Sequence, residues 1–141
     1  MKAKVYLNEL ARLDKSIDYK QLELESLEAL VTNVNSKLKQ INVQESERGD
    51  KLGDTAVKII QLQNEINADV DEFVKRKLEA MQLMAMMKDK EFANILIRRY
   101  INYESWETIA EKLHYSRQSI FKKHGQALIE FQKVLDGKIE S

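Results

Sequence analysis

The chain has 141 residues, of which 33% are charged, and it contains no proline, no cysteine and four glycines. The absence of cysteine excludes disulfide frameworks, cysteine-ligated zinc, thiol nucleophiles and iron–sulfur clusters. The 23 Lys and Arg residues equal the 23 Asp and Glu residues in number, so binding to nucleic acid would require a local basic patch.

Helix is the expected structure for almost the whole chain, because the sequence contains few residues that stop a helix. No apolar run approaches the roughly 18 residues that a transmembrane helix needs, and no segment has the pattern of a signal peptide. We therefore predict an all-α, intracellular protein that is not associated with a membrane.

Residues 3 to 41 carry a heptad pattern, in which side chains of one row recur at alternating intervals of three and four residues. Eleven of the twelve positions are apolar, and Lys20 is the exception. This pattern predicts a long coiled-coil helix. The row consists of Ala3, Tyr6, Leu10, Leu13, Ile17, Lys20, Leu24, Leu27, Val31, Val34, Leu38 and Ile41.

Residues 42 to 54, NVQESERGDKLGD, are polar and contain two glycines, which predicts a loop. Asp54 or Thr55 is then expected to cap a second helix that extends to residue 87. An additional apolar stripe in its second half predicts a wider buried face. The heptad row is Ala56, Ile59, Gln63, Ile66, Val70, Phe73, Lys77, Ala80, Met84 and Met87, and the stripe is Val74, Leu78, Met81 and Ala85.

Two long amphipathic helices joined by one loop most simply form an antiparallel hairpin. We predict such a hairpin for residues 3–41 and 55–87, and we assign it to a first domain of residues 1–88. Apolar residues outside the rows, such as Val5 and Leu22, exceed what a hairpin covers, so we expect a homo-oligomer, with a dimer favoured. Met81, Met84, Met86 and Met87 are interpreted as core residues, although a plastic partner surface is the alternative. The predicted oligomerisation residues are Leu10, Leu13, Ile17, Leu24, Leu27, Val31, Ile59, Ile66, Val70 and Phe73.

Residues 89–141 are predicted to form a second domain of three shorter helices. Asp89, Ser105 and Ser116 each occupy a position that can cap the start of a helix, and Gly137 follows the last one. This part of the sequence has the spacing of a helix-turn-helix, with a short helix after Ser105, a turn at residues 114–115 and a longer helix after Ser116.

The segment from Ile97 to Leu128, IRRYINYESWETIAEKLHYSRQSIFKKHGQAL, resembles region 4 of bacterial sigma factors and its phage relatives. The whole chain, including YLNELARLDKSI and ERGDKLGD, is similar to prophage-encoded proteins of unknown function that join a helical hairpin to this motif. The resemblance implies sequence-directed binding to double-stranded DNA in phage transcription control, in the cytoplasm of a bacterial host cell. Gln118 and Ser119 stand where primary sigma factors usually carry Arg or Glu.

Helical geometry assigns roles to the recognition helix, about residues 117 to 131. At about 100° per residue, Ile120, His124, Ala127, Leu128 and Phe131 share an inner face. Opposite this face, Gln118 can pair with adenine and Lys122 with guanine, and Phe121, on the flank, can touch a thymine methyl group. Arg117 and Lys123 are expected to contact phosphates beside the capped helix start. The complete predicted DNA-binding set is Ser116, Arg117, Gln118, Ser119, Phe121, Lys122, Lys123 and Gln126.

Three functions are compatible with this sequence. The leading prediction is a DNA-binding phage regulator, and the alternatives are a small-terminase-like DNA recognition subunit and a coiled-coil adaptor that contacts RNA polymerase. No enzymatic activity, metal or cofactor is expected, because Glu107 and Glu111 are interpreted as surface carboxylates and His114 and His124 have no known ligand spacing. His124 is expected to be a hydrogen-bonded packing residue, and Trp106 an anchor of the helix-turn-helix core.

Overall fold

The computed structural model describes residues 1–40 and 45–137. All regular structure in these residues is helical, which confirms the all-α class. In this part of the chain, no helix has both the length and the apolar character that crossing a membrane requires. The elements are α1 (Ala3–Gln40), α2 (Glu45–Ala85), α3 (Lys90–Leu96), a π-helical segment (Ile97–Ile101), α4 (Trp106–Leu113) and α5 (Arg117–Leu135).

The chain forms two compact units, of which the first combines Met1–Arg12 with Phe73–Ser141 and the second is Leu13–Glu72. Gln132 joins the two stretches of the first unit. Its side-chain Oε1 accepts a hydrogen bond from the backbone N–H of Ala3 at 2.6 Å, and its Nε2 donates to the carbonyl of Met1 at 2.9 Å. The predicted division into a helical hairpin of residues 1–88 and a helix-turn-helix domain of residues 89–141 stays a prediction.

Two clusters of buried apolar residues form the core of the first unit. Helices α3 and α5 contribute to both clusters. The larger cluster consists of Leu7, Leu10, Ala80, Met84, Met87, Ala93, Leu96, Tyr100, Ile101, Ala127, Phe131 and Val134. The smaller consists of Ile95, Ile109, Ala110 and Ile120.

Helix α2 begins earlier than the sequence predicts. Residues 45–54 are helical, so the predicted loop is wrong there, while residues 42–44 lie outside the described residues. The hydroxyl of Thr55 donates to the carbonyl of Lys51 at 2.9 Å, as in a helix interior, so neither predicted cap residue starts this helix. Good helix formers in this segment, such as Lys51 and Leu52, offset a cost of about 1 kcal/mol for Gly53.

The buried edge of α2 in the second unit differs from the predicted row. Leu62 and Ile66 are each 7% exposed, whereas Ala56, Gln63 and Val70 are exposed, so the prediction is wrong for these three. Ile59 and Ile66 fit both the predicted row and the observed row. On a helix, residues three and four positions further along lie on the same face, so either Leu62 or Gln63 can continue the row from Ile59. The observed row contains the apolar Leu62 where the predicted row has the polar Gln63.

The additional stripe at the end of α2 is also exposed, so the predicted wider buried face is wrong. Val74 is 50% exposed, Leu78 55% and Met81 42%. The core packs against the opposite side of α2, through Ala80 and Met84. The core interpretation of the methionines is confirmed for Met84 and Met87 and is wrong for Met81 and Met86.

Lys20, the polar exception in the heptad row of α1, pairs with an acidic residue of α2 in the second unit. Its Nζ lies 2.6 Å from Oδ2 of Asp69 and 3.7 Å from Oε2 of Glu65. The hydrogen bond from Lys20 to Asp69 raises the pKa of the Lys20 ammonium. A polar pair therefore lies within the contact of the two helices, while the full hairpin over residues 3–41 and 55–87 stays a prediction.

Candidate nucleic-acid interface

Helices α4 and α5 each begin at a serine that satisfies a free backbone N–H group. The hydroxyl of Ser105 accepts from the N–H of Thr108, and that of Ser116 accepts from the N–H of Ser119, both at 3.1 Å. Both serines have extended backbones, so the helix starts at the next residue. The predicted caps at Ser105 and Ser116 are confirmed, as is the cap of α3 by Asp89.

The turn between α4 and α5 is tight and depends on one strained residue. His114 has a left-handed backbone with φ of 62°, and its N–H bonds back to the carbonyls of Ala110 and Glu111. The N–H of Tyr115 also donates to the carbonyl of Ala110, at 2.9 Å. These bonds terminate α4 with a left-handed C-cap, and Ser116 then starts α5 two residues later.

One face of α5 is buried and fixes the rotation of this helix about its axis. Ile120, Ala127 and Phe131 have no exposed surface, which confirms the predicted inner face at these positions. Ile120 belongs to the same cluster as Ile109 of α4. A charge at residue 120 would therefore disrupt the contact between α4 and α5.

The opposite face of the first half of α5 is exposed. This face contains Phe121, which is 45% exposed. Ser119 and Lys123 are only half-buried, and the Ser119 hydroxyl lies 3.0 Å from that of Ser116. The other predicted DNA-contact residues are all exposed, namely Ser116, Arg117, Gln118, Phe121, Lys122 and Gln126.

Lys123 contacts α3 and the turn between α4 and α5. Its Nζ lies 2.8 Å from Oε1 of Glu91 and 4.7 Å from the ring centre of Tyr115. The hydroxyl of Tyr115 donates to Oε2 of Glu91 at 2.9 Å. The hydrogen bonds from Lys123 and then Tyr115 lower the pKa of Glu91. This arrangement connects α5 to α3 and pairs the Lys123 charge with a carboxylate.

The basic patch of residues 112–133 has fewer available positive charges than its number of basic residues indicates. Residues 112 to 133 contain five basic residues and one acidic residue, but Lys112 and Lys123 pair with carboxylates from outside this segment. The Lys112 ammonium lies 2.8 Å from Oε1 of Glu104, and this bond lowers the Glu104 pKa. Among the described residues, no carboxylate forms an ion pair with Arg117 or Lys122. These two are the available cations of the predicted set.

The Trp106 ring packs next to the rings of Phe121 and His124. The Trp106 ring lies 5.6 Å from the Phe121 ring and 4.5 Å from the His124 ring. His124 Nε2 lies 2.7 Å from the Tyr100 hydroxyl, which confirms that His124 is a hydrogen-bonded packing residue. Burial, with smaller contributions from the charges of nearby basic residues, lowers the pKa of His124 to about 4.

Sequence reasoning did not identify Arg99 or Glu91 as neighbours of the candidate site. The Arg99 guanidinium lies 4.6 Å from the ring centre of Trp106, and its Nη1 donates to the carbonyl of Glu104 at 3.0 Å. The RRY motif of the sigma resemblance was the available signal for Arg99. No local pattern marks Glu91, because its contact with Lys123 depends on the packing of α3 against α5.

In the described parts of the chain, no three His, Asp or Glu side chains come together as metal ligands could. His114 lies in the turn and His124 within the aromatic group. The exposed side chains of α5 offer hydrogen bonding, positive charge and an aromatic ring, and proteins bind nucleic acids by such means.

The sequence model of a protein family described as "Protein of unknown function (DUF1492)" matches residues 30–132. The chain belongs to this family. The DUF1492 match extends from α1 into α5 and includes the capped turn and every predicted DNA-contact residue. No curated protein and no solved structure matches the chain.

Proposed function

We propose that the protein is a sequence-directed, DNA-binding regulator of phage or prophage transcription, and that α5 is its recognition helix. The proposal depends on one observation: the first half of a capped helix, fixed by a tight turn and a buried inner face, exposes Gln118, Phe121 and Lys122. Helix-turn-helix proteins place this part of the second helix in the major groove. The resemblance of residues 97–128 to sigma factor region 4 supports the same function.

The base contacts are assigned to three exposed side chains. The Gln118 amide can pair with the N6 and N7 atoms of adenine, and the Lys122 ammonium can bind the acceptors of guanine. Phe121 can contact a thymine methyl group, and its ring packs edge to face against the Trp106 ring, with the ring centres 5.6 Å apart. Because all three belong to one exposed surface, a single groove position can accommodate them.

The phosphate contacts are assigned to the helix start. Arg117 is the first residue of α5, where the positive end of the helix dipole also attracts anions. Lys123 can contact a phosphate only after its ion pair with Glu91 opens. Arg117 is therefore the main phosphate contact, and Lys123 chiefly joins α5 to α3.

The first prediction separates the two kinds of contact. A DNA site is selected from random duplexes, and alanine variants are compared on this site and on a scrambled one. Gln118→Ala and Lys122→Ala should lose about 1–3 kcal/mol on the selected site and relax its sequence preference. Arg117→Ala should weaken binding to both duplexes and reduce the slope of the salt dependence by about one unit.

Folding controls accompany this experiment. The three alanine variants should keep the melting temperature of the parent, because their side chains are exposed, whereas Ile120→Asp should unfold the helix-turn-helix. If the parent protein selects no DNA sequence, direct readout is excluded, and binding to RNA polymerase becomes the better proposal.

We also propose that the protein acts as a homodimer. Val74, Leu78 and Met81 form an exposed apolar row on α2 within the first unit. A second copy of the chain would remove this row from water, and a two-fold axis would present two recognition helices to paired half-sites.

A further inference from the structure

A cavity of about 280 Å³ lies beside α5 in the first unit. Its volume is close to the lower end of the roughly 300–1,000 Å³ range of small-molecule sites. Four elements form its wall: the start of α1, the π-helical segment, α4 and α5. The lining residues are Lys4, Asn8, Arg99, Tyr100, Trp106, Phe121 and His124.

The lining combines flat rings with positive charge and includes no carboxylate. Trp106 and Phe121 meet edge to face, with their ring centres 5.6 Å apart. The Arg99 guanidinium lies over the Trp106 ring at 4.6 Å. Burial, and then the charges of Lys4 and Arg99, lower the pKa of His124 to about 4. At neutral pH, the cations of the cavity are therefore Lys4 and Arg99.

The backbone at this cavity is unusual. The π-helical segment Ile97–Ile101 supplies Arg99 and Tyr100. Such segments are rare and occur frequently at functional sites, because they turn side chains away from the regular helical path. The hydrogen bond between the Tyr100 hydroxyl and His124 Nε2, at 2.7 Å, joins this segment to α5 and holds the wall in place.

We propose that this cavity binds a small anionic ligand with a flat ring, such as a nucleoside monophosphate or an aromatic carboxylate. The ring contacts Trp106 and Phe121, because aromatic side chains attract any flat π system. The anionic group binds to Lys4 and Arg99, which face no carboxylate within the cavity. The volume admits about one ring system and one anionic group.

This site shares Phe121 with the proposed DNA contacts, but the residues that would bind the anionic group are different. Lys4 belongs to α1 and Arg99 to the π-helical segment, and neither is part of the predicted DNA-binding set. Ligand binding can therefore be measured without DNA, and it does not depend on whether α5 recognises a DNA sequence.

Trp106 allows a direct test, because it is the single tryptophan of the chain and lines the cavity. The full chain is titrated with adenosine monophosphate, benzoate, adenosine and inorganic phosphate while tryptophan fluorescence is recorded at an excitation wavelength that the ligands do not absorb. We expect saturable quenching by adenosine monophosphate, by benzoate or by both, and the stronger of the two identifies the ligand class. Adenosine and inorganic phosphate should bind at least about tenfold more weakly, because each lacks one half of the required chemistry.

Lys4→Gln is compared with Lys2→Gln, a matched variant two residues away that lies outside the cavity lining. Lys4→Gln should weaken ligand binding about threefold to tenfold, Lys2→Gln should not, and both should melt like the parent because both side chains are exposed. The proposal is overturned if neither anionic ligand gives saturable quenching. It is equally overturned if adenosine or phosphate binds as tightly, or if the two lysine variants have the same effect.

Discussion

At the scale of single residues, the basic side chains of α5 differ in their availability to DNA. Arg117 and Lys122 are exposed, whereas Lys123 is held by Glu91 at 2.8 Å. An ion pair of this kind must open before its lysine can bind a phosphate. Glu91 is therefore expected to reduce DNA affinity without contacting DNA.

The second prediction follows from this ion pair. Glu91→Gln removes the charge and keeps the side-chain shape, so Lys123 becomes free. Affinity for scrambled duplex DNA should rise about twofold to fivefold at low salt, and the slope of its salt dependence should steepen by about one unit. Binding is measured at two salt concentrations. In a Lys123→Ala background most of this gain should disappear, and a gain of the same size there would refute the explanation.

The third prediction concerns the pH dependence of stability at His124. Its pKa in the folded chain is about 4, below the ordinary value of 6.5, so the unfolded chain binds a proton there while the folded chain does not. The free energy of unfolding should therefore fall as the pH decreases from about 6.5 toward 4 and be insensitive to this group above 6.5. Urea unfolding at about pH 7 and pH 5 measures the effect.

His124→Gln should reduce this loss of stability, because an amide does not titrate. His114→Asn is the matched control, since His114 is exposed in the turn and asparagine tolerates its left-handed backbone. An equal pH dependence in the parent and in His124→Gln would exclude His124 as the cause.

At the scale of helices, the features that depend on local sequence were predictable. Asp89, Ser105 and Ser116 cap helices through hydrogen bonds to residues two or three positions away, and such bonds need no partner element. The buried row of α2 was only partly predictable, because Ile59 and Ile66 fit two rows and the side of the helix that is covered depends on the partner helix. The same physical reason applies to the candidate site, where the exposed face of α5 follows from helical periodicity but its contacts with other elements do not.

The fourth prediction concerns the polar pair between α1 and α2 in the second unit. Asp69→Ala leaves the Lys20 ammonium partly buried without this partner and should cost about 0.5–1 kcal/mol in urea unfolding. Replacing both residues, as Lys20→Leu with Asp69→Leu, should give a protein at least as stable as the parent. A polar pair in a coiled coil chiefly specifies the register of the two helices and adds little stability. A double variant that is less stable than Asp69→Ala would contradict this role of Lys20 and Asp69.

At the scale of the whole molecule, the exposed apolar surface supports self-association. The fifth prediction is that the parent chain sediments as a dimer in the micromolar range and that Leu78→Glu sediments as a monomer. Leu78 is 55% exposed, so a glutamate there should leave the fold intact while it places a charge in the interface. Lys75→Glu, an exposed position on the same helix, is the control. A monomeric parent would refute the dimer, and a ring of many subunits would favour the small-terminase-like function.

The first unit combines two stretches that are far apart in the chain, and this affects how the protein folds during its synthesis. Residues 1–12 leave the ribosome long before α5, yet Leu7 and Leu10 share a core with Phe131, and Gln132 binds the backbone near the N-terminus. Residues 13–72 are contiguous, so the second unit is complete earlier, whereas the first is complete only after α5 is synthesised. Incomplete translation products that end before α5 therefore lack Ala127, Phe131 and Val134 of this core, and we expect chaperones and proteases to act on them more readily than on the full chain.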